Sequence, residues 1–172
     1  MVGLRSATPG DAHAIATVHV ASWRVAYRGL LPDDVLDGLS VTDRARIWAD
    51  RLTSPAPRSR TLLVVDDAAV LGFASTGPAA HVDDPAAGEL YAFYLDPRVW
   101  GRGHGARLHS GALGNLRVDG FTHACLWVLD GNERALRFYR WQGWAPTGET
   151  KVERDLGGGV PLAERRLQRA VG

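Results

Sequence analysis

The stretch from Glu89 to Leu108, ELYAFYLDPRVWGRGHGARL, limits the possible folds more than any other part of the chain. An apolar, aromatic-rich run closes at Asp96-Pro97. Three glycines follow at alternate positions, Gly101, Gly103 and Gly105, and then a helical pattern. A strand that feeds a glycine-rich turn and a helix start can hold phosphate. Glycine lets the backbone approach an anion, the first helical N–H groups have no intrahelical partner, and the helix dipole favours negative charge there. The same glycines would also serve tight helix–strand packing with no ligand at all.

The chain has 172 residues, the size of one domain over residues 1–172 with a core that needs no staples. A net charge of +1 gives no electrostatic support for a nucleic-acid or membrane-surface role. A single cysteine, Cys125, rules out an intrachain disulfide and a cysteine-built zinc site. It sits between apolar neighbours, so a buried structural thiol is expected rather than a nucleophile. The N-terminus lacks the pattern of a secretory signal, and no apolar run approaches the roughly 20 residues that cross a bilayer. A cytoplasmic protein is the expectation.

The remaining pattern is mixed. Val2 to Ala7 reads as a strand, and Thr8-Pro9-Gly10-Asp11 as a helix start. That helix runs to about Tyr27, with Ile15, Val18, His19, Ser22 and Trp23 on one face. Short helices are expected from Asp33 to Leu39 and from Thr42 to Leu52, the second capped by its threonine. Thr61 to Val65 and Val70 to Ser75 form a hairpin across Asp66-Asp67. Glu89 to Leu95 is a strand, Gly103 to Val118 a helix, and Phe121 to Leu129 a strand apolar on both faces, as a central strand would be. Asn132 to Trp141 is a helix ended by Gly143. Trp144 to Glu153 and Ala163 to Val171 close a hairpin across Gly157-Gly158-Gly159. The fold class is therefore α/β, a mixed sheet with flanking helices in one unit.

Two nucleotide-binding patterns fit poorly. No G-x-x-x-x-G-K-[ST] string exists. Gly101 to Ala106 does satisfy G-x-G-x-x-[GA], with Asp130 as a conceivable ribose partner. However, five residues separate the strand from the first glycine, and too little chain follows Asp130 for the second half of a doubly wound sheet.

The glycine run resembles the acyl-CoA-binding signature of the GCN5-related N-acetyltransferase (GNAT) superfamily, Q/R-x-x-G-x-G/A after a strand that ends in aspartate-proline. Gly103 and Gly105 match its glycines, while Trp100 stands where glutamine or arginine is usual. A second segment, LWVLDGNERALRFYRWQGW from Leu126 to Trp144, is similar to the family's later motif: a strand, an asparagine, a short helix bearing Phe-Tyr, and a glycine-aromatic pair.

The resemblance implies a central, mostly antiparallel sheet of six to seven strands with one splayed parallel pair, Glu89 to Leu95 beside Phe121 to Leu129. It implies acetyl-CoA as acyl donor, no metal, and direct transfer of the acetyl group to a primary amine in a ternary complex. Phe93, Tyr94 and Leu95 would pair with the pantetheine arm, and an N–H near Tyr94 or Leu95 would polarise the thioester carbonyl. Backbone N–H groups of Gly101, Arg102, Gly103, His104, Gly105 and Ala106 would wrap the pyrophosphate, with Arg102 and Arg107 in reach. Asn132 would bond the cofactor arm. Tyr139 would protonate the departing thiolate, a plausible step because phenol and thiol have neighbouring pKa values. Glu89 would be the general base, with His81 as the alternative.

Trp23 and Tyr27 share a helix face. With Asp33, Asp34, Asp83 and Asp84 they suggest an aromatic and acidic pocket for a cationic small-molecule or peptide amine. The family also implies a possible homodimer. A non-catalytic acyl-CoA-binding or sensor module is the alternative function, and a dinucleotide-binding oxidoreductase a further one.

Overall fold

The computed structural model describes residues 1–80, 82–153 and 161–172. Seven strands form one sheet: β1 (Val2–Ser6), β2 (Arg60–Asp66), β3 (Ala69–Pro78), β4 (Ala87–Leu95), β5 (His123–Leu129), β6 (Ala145–Glu153) and β7 (Leu162–Ala170). Their order is β1-β2-β3-β4-β5-β7-β6. Every neighbouring pair is antiparallel except β4–β5. The helices are α1 (Ala12–Ala26), α2 (Asp33–Asp37), α3 (Val41–Thr53), α4 (His104–Val118) and α5 (Glu133–Trp141).

Period-2 alternation in the strands divides the core. Leu62 and Val64 of β2 face α4, packing with Leu108, Ala112 and Leu116. Leu63 and Val65 face the other way, onto Ile15 and Ala16 of α1 and Trp48 of α3. Both faces of β2 are therefore dry, and each buried leucine contributes about 2 kcal/mol of transfer free energy. The face expected of α1 is the buried one, with Ile15, Val18, His19, Ser22 and Trp23 all inside.

The helix starts follow local chemistry. Asp11 accepts hydrogen bonds from the Thr8 N–H at 2.8 Å and the Thr8 hydroxyl at 2.9 Å, and pairs with Arg5 at 2.7 Å. The Arg5 guanidinium holds the Asp11 carboxyl well below the usual carboxylate range. The threonine cap expected for α3 is a correction: the helix begins at Val41, and Ser40 Oγ accepts from the Asp43 N–H at 3.1 Å. Thr42 lies inside the first turn. Gly143 is left-handed, as expected after α5, with φ of 84°. The hairpin pairing of β6 with β7 is present, but its glycine-rich connection lies outside the described residues.

The β4–β5 pair decides the architecture of the site. Only Ala87, Gly88 and Glu89 pair with β5, opposite His123, Ala124 and Cys125. Beyond them the strands part, so Leu90–Leu95 and Leu126–Leu129 face each other without a ladder. Two features account for the parting. At the paired end, Gly88 packs against α4 and the loop after it. A Cβ there would come within 2.6 Å of Leu116 and 3.0 Å of Phe121. Further along, Thr76 and Ser75 of β3 pair with Leu90 and Ala92, leaving Tyr91 as an extra residue on β4. A bulge of this kind bends its strand.

Two buried histidines make the fold acid-sensitive. His109 accepts from the Trp144 indole at 2.8 Å, and burial lowers its pKa to about 4. His19 Nδ1 accepts from the Trp48 indole at 3.2 Å, and burial, with Arg44 and Arg51 nearby, lowers its pKa to about 3. Both folded values lie below the unfolded value, so the unfolded chain binds protons first. Stability is then full above about pH 6.5 and falls as pH drops toward 4, by about 1.4 kcal/mol per unit for each histidine. Urea midpoints should decline over this window, and His109→Gln should flatten the decline. An unchanged slope in that variant would contradict the assignment.

Candidate active site

The opening between β4 and β5 separates two cavities. One, of about 450 Å³, is lined by Phe93, Leu95, Trp100, Gly101, Gly103, Gly105, Ala106, Asn132, Phe138 and Tyr139. The other, of about 790 Å³, lies on the α1–α3 face and is lined by His19, Trp23, Arg44, Trp48, Glu89 and Trp127 among others. Tyr27, Leu90, Tyr91, Ala92, Tyr94 and Trp127 border both, so the cavities meet at the splayed strands.

Backbone direction along β4 follows from one hydrogen bond. The Asp96 N–H donates to Leu71 of β3 at 2.8 Å. Peptide groups alternate along a strand, so those of Tyr94 also point toward β3, and those of Phe93 and Leu95 point into the opening. This corrects part of the sequence expectation, because the peptide groups of Tyr94 are committed to the sheet. Its side chain instead forms the floor of the larger cavity, stacked on His19 with ring centroids 4.6 Å apart. Leu95 keeps its N–H for the opening, but its carbonyl accepts from the Trp100 indole at 2.9 Å. Trp100 thus braces the end of β4, and the Arg134 guanidinium lies 3.7 Å above its ring.

The glycine loop has the geometry that its sequence suggests. Gly101 has φ of 75°, and Gly103, at the N-cap of α4, has φ of 84°. A Cβ at either position would meet nothing within 4 Å, so the backbone angle, not crowding, calls for glycine. The first bond from inside the helix runs from the Arg107 N–H to the Gly103 carbonyl. The N–H groups of His104, Gly105 and Ala106 are therefore left without intrahelical partners, and Gly105 and Ala106 line the cavity. The side chains of Arg102, His104 and Arg107 are not among the cavity's lining.

Tyr139 is 8% exposed and faces the smaller cavity. Its ring lies 6.2 Å from Phe93 and 6.1 Å from Trp144. Burial, and next the neighbouring Tyr94, push its pKa well up, so the phenol keeps its proton through the neutral range. Asn132 caps α5 by accepting from the Ala135 N–H at 3.2 Å and also lines this cavity. Glu89 is equally buried but opens on the other side, where it accepts from the Ala80 N–H at 3.0 Å. Acid and base candidates thus sit on opposite sides of the strand opening. Cys125 is 3% exposed, and burial raises its pKa, which makes it a poor nucleophile.

The structure does not bring the four expected aspartates to the larger cavity, whose carboxylates are Glu89, Glu153 and Glu164. Trp23 and Tyr27 do line the larger cavity, 4.9 Å apart. But Asp33, Asp34, Asp83 and Asp84 are not among its lining. Asp33 pairs with Arg28 at 2.8 Å, and Asp84 with His123 at 3.3 Å. His81 lies outside the described residues. The cavity's cations, Arg44 and Arg51 of α3 with Arg60 and Lys151, were not foreseen. Among the described residues no cluster of three or more His, Cys, Asp or Glu side chains could hold a metal, and no described helix is long and apolar enough to cross a membrane.

A mostly antiparallel sheet, opened at one parallel pair beside a glycine-capped helix, leaves a slot of the kind that an extended ligand fills as an added strand. It is not a doubly wound dinucleotide fold, whose sheet is mainly parallel. The model of the Acetyltransferase (GNAT) family matches residues 23–144. The uncharacterized N-acetyltransferase YuaI of Bacillus subtilis is 33% identical over 148 residues, covering 85% of this chain and 80% of that protein. The mycothiol acetyltransferase of Mycobacteroides abscessus is 34% identical over 129 residues, which cover 66% of this chain but only 43% of that protein. In fold, the PaiA N-acetyltransferase of Thermoplasma acidophilum, solved with coenzyme A, superimposes with a TM-score of 0.74 at 18% identity, covering 99% of each chain. The chain belongs to the GNAT family of acetyltransferases, whose reaction moves an acetyl group from acetyl-CoA to an amine.

Proposed function

We propose that this chain acetylates a primary amine by direct attack on acetyl-CoA held in the β4–β5 opening. The observation that carries this reading is the loss of ladder pairing beyond Glu89, which leaves the Phe93 peptide groups and the Leu95 N–H facing a cavity rather than a strand. An extended pantetheine arm supplies the missing partner. The diphosphate belongs on the free N–H groups of His104, Gly105 and Ala106, where backbone and helix dipole both favour an anion. Backbone, not the exposed side chains of Arg102 and Arg107, does most of this holding. Asn132 stays the cap of α5 while bordering the arm.

The thioester carbonyl is best served by the Phe93 N–H. Of the two donors that face the opening, it is the one nearer to Glu89 in the strand, and its ring adjoins Tyr139. A fixed donor stabilises the oxyanion as the amine nitrogen bonds to the carbonyl carbon. Collapse then breaks the C–S bond. The leaving thiolate takes the Tyr139 proton, on the carrier side. The amine proton leaves toward Glu89 on the acceptor side, through water, since four strand residues span about 13 Å.

The test combines two measurements. Coenzyme A should raise the melting temperature, as any ligand of the native state does. Acetyl-CoA with a broad amine panel should then release free thiol in step with amide formation. Coenzyme A binding without turnover of any amine would favour the sensor reading, and a shift with NAD but not coenzyme A would overturn both.

A further inference from the structure

The larger cavity carries both signs of charge, with Glu89, Glu153 and Glu164 among its lining. Four cationic side chains line it: Arg44, Arg51, Arg60 and Lys151. Two of them are neutralised, Arg60 by Asp119 at 2.7 Å and Lys151 by Glu164 at 3.2 Å. Arg44 and Arg51 have no carboxylate within 4.0 Å among the described residues. They lie seven residues apart on α3, two turns along one face. Each guanidinium rests on a tryptophan, Arg44 at 5.6 Å from the Trp23 ring and Arg51 at 5.3 Å from that of Trp48. Arg44 is the more enclosed, and burial is the main influence lowering its pKa. A partly desolvated cation with no partner is costly unless something anionic completes it.

The floor beside Arg44 carries the rings of His19, Trp23 and Tyr94. His19 is 7% exposed and Trp23 is 4% exposed, and both line this cavity. His19 Nδ1 accepts from Trp48, so in the neutral ring Nε2 carries the proton. That Nε2–H has no hydrogen-bond partner among the described residues, whereas the Trp23 indole N–H is directed at the Tyr94 hydroxyl. The His19 ring and the Arg44 guanidinium, which has no carboxylate partner among the described residues, border the same cavity, and a guanidinium suits a planar anion. Glu89 stands on the same cavity, where an amine would shed its proton.

We propose that the acceptor is a small amine that also carries a carboxylate, and that Arg44, flanked by His19 and Trp23 and backed by Arg51, binds that carboxylate. This rests on the acetyltransferase reading and narrows its substrate class to amino-acid-like molecules. It excludes polyamines, which carry only positive charge.

Matched acceptors test it: amino acids against their carboxamides and their decarboxylated amines, with acetyl-CoA and a thiol-release readout. The carboxylate form should win in kcat/KM by about 10- to 100-fold, the worth of a charge-assisted hydrogen bond. Arg44→Gln should erase that preference by raising KM for the carboxylate form while kcat changes little, and Arg44→Lys should restore part of it. Arg46→Gln, on the same helix but outside the cavity, should keep the preference; Arg46 is exposed and paired with Asp43. A preference for carboxamides or polyamines, no turnover of any carboxylate-bearing amine, or a preference that survives in Arg44→Gln would overturn the inference. The coenzyme A melting shift is recorded alongside. Its absence in the wild type would defeat the acetyltransferase reading itself, whereas its presence without carboxylate preference would defeat only this inference.

Discussion

Tyr139→Phe lowers kcat by about 100-fold or more while the protein still binds coenzyme A. The size follows from general acid catalysis, which contributes roughly 10²- to 10⁴-fold when a positioned group moves a proton in the transition state. The hydroxyl is well placed for that test. Tyr139 is buried at the smaller cavity, its ring beside Phe93, and among the described residues its hydroxyl makes no hydrogen bond that the substitution would break. Its packing with Phe138 and Trp144 is aromatic and survives in phenylalanine. Melting temperature should therefore change little. Equal loss of coenzyme A affinity and of kcat would mark Tyr139 as a binding group. Unchanged kcat would remove it from the chemistry, and with it the main distinction between an enzyme and a carrier-binding module.

Glu89→Gln should reduce kcat/KM for the amine by about 100-fold at neutral pH, again within the range for a lost proton acceptor. Gln keeps the carboxamide oxygen that can accept from the Ala80 N–H, so the local fold has a substitute for that bond. The defect should shrink as pH rises toward the pKa of the acceptor amine, because more of the amine then arrives already deprotonated. Coenzyme A affinity should stay at the wild-type value, since Glu89 borders the acceptor cavity and not the carrier cavity. A pH-independent defect would point to a structural role for Glu89.

Local chemistry was readable in the sequence wherever one segment carried its own instructions. Gly143 ends α5 in the left-handed backbone expected of it, and α4 starts just after Gly103, where the glycine run suggested a helix start. The sheet has seven strands with one splayed parallel pair, as the resemblance implied. Features set by distant partners were not readable. Asp33 and Asp84 looked like pocket acids until Arg28 and His123 appeared beside them. Arg44 drew no expectation, because nothing in α3 alone reveals that the cavity between α1, α3 and β4 opens on that side. The commitment of the Tyr94 peptide groups to β3 depends on register, which a single strand does not specify. Trp100 departs from the family signature, and the structure gives it a use: it ties the Leu95 carbonyl and shapes the end of the opening.

A crystal structure of the protein with coenzyme A tests the central claim most directly. The account predicts the pantetheine arm between Leu90–Leu95 and Leu126–Leu129, bonded to the Phe93 peptide groups and the Leu95 N–H, with the diphosphate on the N–H groups of His104 to Ala106 and the sulfur beside Tyr139. Coenzyme A bound elsewhere, with β4 and β5 unchanged and nothing between them, would contradict it.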